Sequence, residues 1–235
     1  MSRKLTAGML IAAAVLMTVA FSALGTVFNY PDILKQPVEE VLTGFRASET
    51  AVIGWFTLLA ASAALFAPIA VGVGRLSPSP LMRAAVPVGI AAAVVQVIGL
   101  LRWPLLVPGY AADATSTDPT VAAAARQSFT TAHEILGQVV GESFGYLLTA
   151  AWTLLVVAAL RRTIAGVWFL VAGSLSAVLI LSGVLSPLHL PVVDTANFIG
   201  YLLWSAWLVA FAVLLLRPPA ATHTPTPPAL TGSRS

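Results

Sequence analysis

Six long apolar segments alternate with short polar segments along the chain. Each apolar segment has the roughly 20 residues that an α-helix needs to cross the hydrocarbon core of a bilayer. The sequence therefore predicts an all-α fold, an integral membrane bundle of six transmembrane helices that forms one domain over residues 1–216. The expected crossings are Leu5–Phe28, Thr50–Val73, Leu81–Leu106, Glu134–Leu160, Thr163–Ser186 and Val193–Leu216.

The first crossing has two possible interpretations. A basic start at Arg3 and Lys4 followed by an apolar run is also typical of a secretory signal peptide. The run continues to Phe28, which is longer than the usual apolar core of a signal. We therefore interpret it as a retained transmembrane helix.

A shorter segment after the first crossing has apolar residues at helical spacing. The run Asn29-Tyr30-Pro31-Asp32 resembles a helix start, because asparagine caps helices and proline is tolerated in a first turn. We predict a short amphipathic helix over Pro31–Phe45 that lies on the outer surface of the membrane. Its apolar positions are Leu34, Val38, Val41, Leu42 and Phe45.

The C-terminal residues differ in composition from the rest of the chain. Residues 217–235 repeat proline among threonine and serine and contain no apolar run. Such a composition does not bury enough apolar surface to fold. We predict a disordered cytoplasmic tail there.

Composition excludes several classes of protein. The chain is 58% hydrophobic and only 9% charged, which is far too little charge for a soluble domain. It has no cysteine, so disulfides, a thiolate nucleophile and cysteine metal sites are excluded. The net charge of +3 and pI of 9.7 are explained by membrane topology, and we expect the lipid bilayer rather than a nucleic acid as a partner.

The basic residues predict the orientation. Of the 12 lysines and arginines, eight fall on the side that holds both termini and four on the other side. An excess of basic residues marks the cytoplasmic side, so we expect both termini inside, in the cytoplasmic membrane of a cell. The acidic residues all fall on the outer side or in the outer half of the crossings, so we expect any chemistry there.

The fourth crossing carries an unusual set of polar residues. Glu134, Gln138 and Glu142 are spaced four apart and form a polar stripe on a helix. Lipid offers no partner to a carboxylate, so this stripe is expected to face the protein interior or a wet cavity. Gly137, Gly141 and Gly145 follow the same spacing, and we interpret them as small residues that let a second helix approach closely.

Further polar residues reach the outer ends of two other crossings. Asp194, Asn197 and Tyr201 share one face of the sixth, and Arg102 lies near the end of the third beside Trp103. Trp103 is interpreted as part of the aromatic belt at the membrane interface, and Arg102 as either snorkelling to the headgroups or pairing with a carboxylate.

Residue counts place three of these polar groups at one depth. Arg102 and Glu142 each lie 19 residues from an arginine at the other end of the helix, and Asn197 lies 20 residues from one. At about 1.5 Å per residue these counts place all three groups about 29 Å from the cytoplasmic boundary. We expect them to face one another, with Asp194 one turn higher and able to share Arg102.

Two classes of function remain open. The first is a membrane protein that binds a small molecule, a lipid or a membrane protein partner in an outward-facing polar pocket. The second is a membrane-embedded enzyme that uses a buried carboxylate, Glu142 or Asp194, as general acid or base on a hydrophobic lipid or isoprenoid substrate. The candidate binding residues are Arg102, Glu134, Gln138, Glu142, Asp194, Asn197 and Tyr201.

No cofactor or metal is expected. Phosphate-binding and dinucleotide fingerprints are absent, as is the histidine spacing of a zinc protease. His133 and Glu134 are adjacent, but a second histidine at metal-ligand spacing is missing. The alternative is a zinc site in which His189 supplies the second histidine.

Four motifs carry a family resemblance. NYPDIL follows the first crossing, RWPLL ends the third, HEILGQVVGE opens the fourth, and DTANFIGYLLW lies in the sixth. This combination resembles an uncharacterised family of multi-pass bacterial membrane proteins, known only as a domain of unknown function. The resemblance covers most of the chain except the tail. It implies a bacterial inner-membrane protein of six or seven helices and assigns no catalytic residue.

Overall fold

A computed structural model describes residues 1–161, 166–188 and 190–217. Three predictions therefore fall outside the described residues: the start of the fifth crossing at Thr163, any role of His189, and the tail beyond Arg217. The described residues are helical throughout their length, apart from short turns, and contain no β-strand.

Ten α-helices are present among the described residues. They are α1 (Arg3–Phe28), α2 (Val38–Ala47), α3 (Glu49–Ala64), α4 (Phe66–Gly74), α5 (Pro80–Leu105), α6 (Val107–Asp113), α7 (Pro119–Ala132), α8 (Gly145–Leu160), α9 (Val167–Ser182) and α10 (Pro191–Leu216). Two short 3₁₀ helices cover Asp32–Lys35 and Gly183–Leu188, and a π-helix covers His133–Phe144.

Consecutive helices join into six stretches that are long and apolar enough to cross a membrane. They are Arg3–Phe28, Glu49–Gly74, Pro80–Asp113, Pro119–Leu160, Val167–Leu188 and Val192–Leu216. The prediction of an all-α membrane bundle with six crossings is confirmed. The third and fourth stretches are longer than the predicted crossings, at 34 and 42 residues, because each continues beyond the predicted outer membrane boundary.

The helix starts follow from local sequence. Ser79 accepts a hydrogen bond from the Met82 amide, and Pro80 occupies the first helical turn of α5. Asp118 accepts from the Thr120 amide at the start of α7. The end of α1 also follows from local sequence: the helix stops at Asn29, which adopts the left-handed conformation with φ of 50°. Asn29 therefore ends the first crossing, whereas the sequence interpretation had it start the next helix.

The six crossings form a closed ring. Each crossing packs against the crossings before and after it, and α10 of the sixth packs against α1 of the first. Large side chains fill the ring between the helices. Phe66 of α4 contacts Trp152 of α8 at 4.7 Å and Trp204 of α10 at 5.5 Å between ring centroids. Side chains from three different crossings therefore pack against one another in the middle of the ring.

One end of the ring is covered by α2, α6 and α7, and we call it the capped end. α6 and α7 pack together as a hairpin, and α2 packs against both. The positive-inside argument predicts that the capped end is extracytoplasmic.

The predicted amphipathic helix is confirmed as a helical segment but not as one helix. A 3₁₀ turn ends at Lys35, and α2 begins only at Val38. Gln36 has an extended backbone because the ring of Pro37 disfavours a helical conformation in the residue before it. The apolar face of α2, formed by Val41, Leu42 and Phe45, is buried in a protein core.

Trp103 belongs to that core, so its interpretation as an interfacial residue was wrong. Its side chain is fully buried and stacks on Phe56 with a centroid distance of 4.7 Å and an interplanar angle of 8°. Phe28 and Phe45 complete the cluster at 5.2 Å and 6.1 Å. The cap covers this end of α5, so Trp103 does not reach the lipid headgroups.

Candidate functional site

The polar stripe of the fourth crossing lies on a π-helix. The twelve residues His133–Phe144 form i→i+5 hydrogen bonds, whereas the sequence analysis assumed an α-helix. A π-helical stretch is wider than an α-helix, and such stretches occur frequently at functional sites. Glu134 and Gln138 line a surface pocket, whereas Glu142 is partly buried two turns further along the crossing.

Three glycines on this crossing pack directly against α5. A Cβ on Gly137 would lie 2.7 Å from Nη2 of Arg102, and a Cβ on Gly145 would lie 3.1 Å from Cγ of Gln96. Between them, a Cβ on Gly99 of α5 would lie 2.6 Å from the Cα of Gly141. The prediction that small residues spaced four apart allow a close helix contact is confirmed.

Arg102 is buried in this contact, with 5% of its surface exposed. Its Nη1 donates to the Gly99 carbonyl oxygen, and its guanidinium lies 5.4 Å over the Trp103 ring. Arg102 therefore does not snorkel to the headgroups. Among the described residues, no carboxylate lies within ion-pair distance of Arg102, although Glu142 is within electrostatic range.

The remaining partner of Arg102 is His133. Nη2 of Arg102 lies 3.3 Å from Nδ1 of His133. Arginine has only donors, so Nδ1 must accept, and His133 must be neutral with its proton on Nε2. The imidazole also stacks parallel to Phe129, with an interplanar angle of 4°. These contacts fix both the orientation and the tautomer of the ring.

His133 lines a pocket at the capped end with a volume of about 290 Å³. The pocket lies between the segment Leu34–Val41, α7 and the π-helix. Its polar lining is Gln36, Thr130, His133, Glu134 and Gln138, and its apolar lining is Leu34, Val38, Val41, Phe129 and Pro187. Two predicted site residues, Glu134 and Gln138, are therefore brought together here.

Glu142 is partly buried and lies in a second environment, further along the fourth crossing. It is within electrostatic range of Tyr30, Tyr146 and Tyr201. In the part of the chain that the structure describes, its carboxyl group has no hydrogen bond or ion pair. Burial and Glu142 raise the pKa of Tyr30 to about 12, so the Tyr30 hydroxyl stays protonated at neutral pH and is able to donate a hydrogen bond.

The polar face continues inward from Glu142 along the fourth crossing. Gln96 donates to the Thr149 hydroxyl at 3.0 Å, and Trp204 donates to the Thr153 hydroxyl at 2.8 Å. Since Trp204 belongs to the sixth crossing, Thr153 faces the ring interior. Thr149 and Thr153 were missed as site residues, although their spacing of seven and eleven from Glu142 continues the same face of the helix.

The predicted residues of the sixth crossing have separate roles. Asp194 pairs with Lys35 at 3.2 Å, whereas the sequence analysis expected it to share Arg102. Asn197 donates to the Ile180 carbonyl oxygen at 2.7 Å and so joins α10 to α9. Tyr201 packs edge-on against Tyr146, with ring centroids 5.9 Å apart.

The predicted site is therefore divided among several places. Arg102 and Glu142 come within electrostatic range but form no ion pair. Glu134 and Gln138 line the surface pocket, Glu142 is within electrostatic range of Tyr201, and Asp194 joins the 3₁₀ turn to α10. His133 connects the surface pocket with Arg102, because its side chain lines the pocket and contacts the guanidinium.

Comparisons with known proteins identify the family but no activity. Neither the curated proteins nor the solved structures include a match to this chain. Residues 5–212 match a family described as a domain of unknown function (DUF4386). This match includes at least part of each of the six crossings. The chain, with its six candidate membrane crossings, belongs to the DUF4386 family.

Proposed function

We propose that this protein is a non-enzymatic membrane protein of the bacterial cytoplasmic membrane, which binds a small amphipathic molecule in the pocket at its capped end. In this proposal both termini are cytoplasmic and the pocket is open to the outer side. The observation that carries it is the pocket of about 290 Å³ with His133 fixed in its wall by Arg102.

Two features of the pocket favour binding of an amphipathic molecule. Its volume is close to the lower end of the range for small-molecule sites, roughly 300–1,000 Å³. Its lining divides evenly between hydrogen-bonding and apolar side chains. Arg102, Phe129 and the backbone hold His133 in one orientation before any ligand arrives, which lowers the entropy cost of binding.

A pocket-filling substitution tests this proposal. Thr130 lines the pocket from α7, and Thr130→Trp would occupy much of its volume. Val121 lies on the same helix and is 41% exposed, so Val121→Trp is a matched control that leaves the pocket open. Native mass spectrometry of the protein released from its membrane would measure which small molecules and lipids remain bound.

We expect wild type and Val121→Trp to retain the same bound molecule and Thr130→Trp to lose it. Retention by all three proteins at equal occupancy would contradict binding in this pocket. Circular dichroism and the thermal unfolding midpoint of both variants would establish that the loss does not come from unfolding.

The second candidate is an enzyme that uses Glu142 as general acid or base on a hydrophobic substrate. It is supported by Glu142, which is within electrostatic range of three tyrosines and has no hydrogen bond or ion pair in the described part of the chain. Lipid extracts from cells that produce wild type or Glu142→Gln at equal levels would test this candidate. A lipid that changes only with wild type supports the enzyme, and identical extracts contradict it.

A further inference from the structure

The pocket offers a ligand two polar groups of opposite character on adjacent residues. His133 has its Nδ1 committed to Arg102, so Nε2–H is the donor that remains for a ligand. Glu134 contributes a carboxylate, which only accepts hydrogen bonds when ionised. A ligand that satisfies both residues needs an acceptor and a donor close together.

The buried arginine makes the His133 donor suited to an anion. Arg102 is 5% exposed, and no described carboxylate is near enough to form an ion pair with it. Its positive charge polarises the imidazole through the Nη2–Nδ1 hydrogen bond, since hydrogen bonds in a chain strengthen one another. The Nε2–H group therefore favours a phosphate or carboxylate oxygen over a neutral acceptor.

The charges around the pocket leave Glu134 as the group that attracts a cation. Glu39 of α2 pairs with Arg126 of α7 at 3.2 Å, so these two neighbours largely neutralise each other. Lys35 is paired with Asp32 and Asp194. Glu134 is exposed and lies in none of the ion pairs among the described residues. An ammonium group of a ligand would meet this carboxylate.

From this arrangement we infer that the pocket takes the headgroup of a zwitterionic phospholipid, with the phosphate on His133 and the ammonium on Glu134. This inference rests on the proposed function and names its ligand. The pocket is too small for a whole two-chain lipid, so the acyl chains remain in the bilayer.

The surface beside the pocket is suited to those acyl chains. Ile135 and Val139 flank Glu134 and Gln138 on the π-helix and are 53% and 49% exposed. Leu188, next to Pro187 of the pocket wall, is 62% exposed. A headgroup in the pocket therefore leaves its chains beside apolar side chains.

Three soluble probes test the inference on the full-length protein in detergent. Dihexanoyl-phosphatidylethanolamine carries both charges, dihexanoyl-phosphatidylglycerol carries only the phosphate charge, and free glycerophosphoethanolamine, also a phosphodiester, has both charges without acyl chains. We expect the first probe to bind about tenfold more tightly than the second, because of the charge-assisted contact with Glu134. We expect the third probe to bind more weakly than the first.

Variants assign the two charges to their residues. Glu134→Gln should abolish the preference for phosphatidylethanolamine while leaving phosphatidylglycerol binding at least as tight. His133→Phe keeps the stacking on Phe129 and should weaken both lipids about tenfold. Glu40→Gln makes the same charge change on the exposed surface of α2, outside the pocket lining, and should preserve the preference.

Each contrary result has a distinct meaning. Equal binding of the two lipids by wild type, or an unchanged preference in Glu134→Gln, would refute a zwitterionic ligand and leave the proposed pocket function standing. Glycerophosphoethanolamine that binds as tightly as the lipid would refute a lipid and indicate a soluble zwitterion. Unchanged binding of every probe by Thr130→Trp would refute the pocket and the proposed function itself.

Discussion

The guanidinium of Arg102 lies directly against Gly137, at a position where any side chain would collide with it. A Cβ on Gly137 would be 2.7 Å from Nη2 and 2.8 Å from Cζ of Arg102. The glycine therefore provides the space in which a buried arginine crosses the helix contact and reaches His133.

Gly137→Ala is expected to displace Arg102 from His133. The new methyl group would collide with the guanidinium and shift it, at a cost of up to about 1–3 kcal/mol, which the helix preference of alanine partly offsets. Without its donor at Nδ1, the imidazole is no longer held in the tautomer with the proton on Nε2. Nitrogen-15 NMR of labelled histidine would report the tautomer, and the thermal unfolding midpoint would report the cost.

Gly54→Ala is the matched control for this experiment. Gly54 lies within α3, and a Cβ there would meet nothing within 4 Å. Alanine favours helix over glycine by up to about 1 kcal/mol, so Gly54→Ala should leave stability unchanged or raise it. An equal loss of stability in both alanine variants would contradict the contact between Gly137 and Arg102.

Trp103→Ala should destabilise the protein far more than Trp168→Ala. Trp103 is fully buried against Phe56 and Phe28, and removal of a large buried side chain costs about 3–5 kcal/mol. Trp168 is 48% exposed, so its removal should change stability by only about 0.5 kcal/mol. Unfolding by a denaturing detergent would measure both, and similar effects would place Trp103 outside the core.

The ion pair between Lys35 and Asp194 should contribute little stability, and that contribution should vanish at alkaline pH. Hydrogen bonds to Asp32 and Asp194 raise the pKa of Lys35. A raised pKa means that the folded protein holds the proton more tightly, so the stabilisation is present at neutral pH and is lost as the pH rises through that pKa. Both side chains are partly exposed, at 59% and 40%, so we expect about 0.2–1 kcal/mol.

A double-mutant cycle with Lys35→Ala and Asp194→Ala measures this coupling. The coupling free energy should shrink when salt is added, and it should also shrink when the pH rises above the pKa of Lys35. A coupling that is unchanged at high salt would contradict an exposed ion pair.

The orientation of the bundle can be tested with single cysteines, because the chain has no cysteine of its own. Thr117 is exposed in the turn between α6 and α7, and Pro78 is exposed in the turn between α4 and α5. With both termini cytoplasmic, Thr117→Cys should react with an impermeant maleimide in intact cells. Pro78→Cys should react only after the membrane is opened, and the reverse pattern would overturn the predicted topology.

Periodicity and local chemistry were sufficient to predict the six crossings and the glycine contacts, because both depend on residues close in sequence. The π-helix was not predicted, since residues four apart stay near one another in either kind of helix. Trp103 was misplaced because its burial depends on α2 and α7, which are distant in sequence and whose packing has no local signature.

The candidate site was harder to predict for a related reason. Arg102, Glu142 and Asn197 were expected at one depth, with Asp194 one turn higher, and carboxylates were assigned to the arginine by depth alone. Depth does not specify which way a side chain turns around the helix axis. Asp194 turns to Lys35, and Arg102 turns to His133 across Gly137.

Closure of the ring by its first and last helices has a consequence for biosynthesis. α1 enters the membrane first, yet one of its sides, where Phe21 meets Phe198 at 6.2 Å, has no partner until α10 has been made. Until then the nascent chain is an open arc in which the Thr153 hydroxyl lacks the Trp204 donor. Insertion of the 26 residues of α10 is thus the step that completes the ring and brings the Trp204 donor to Thr153.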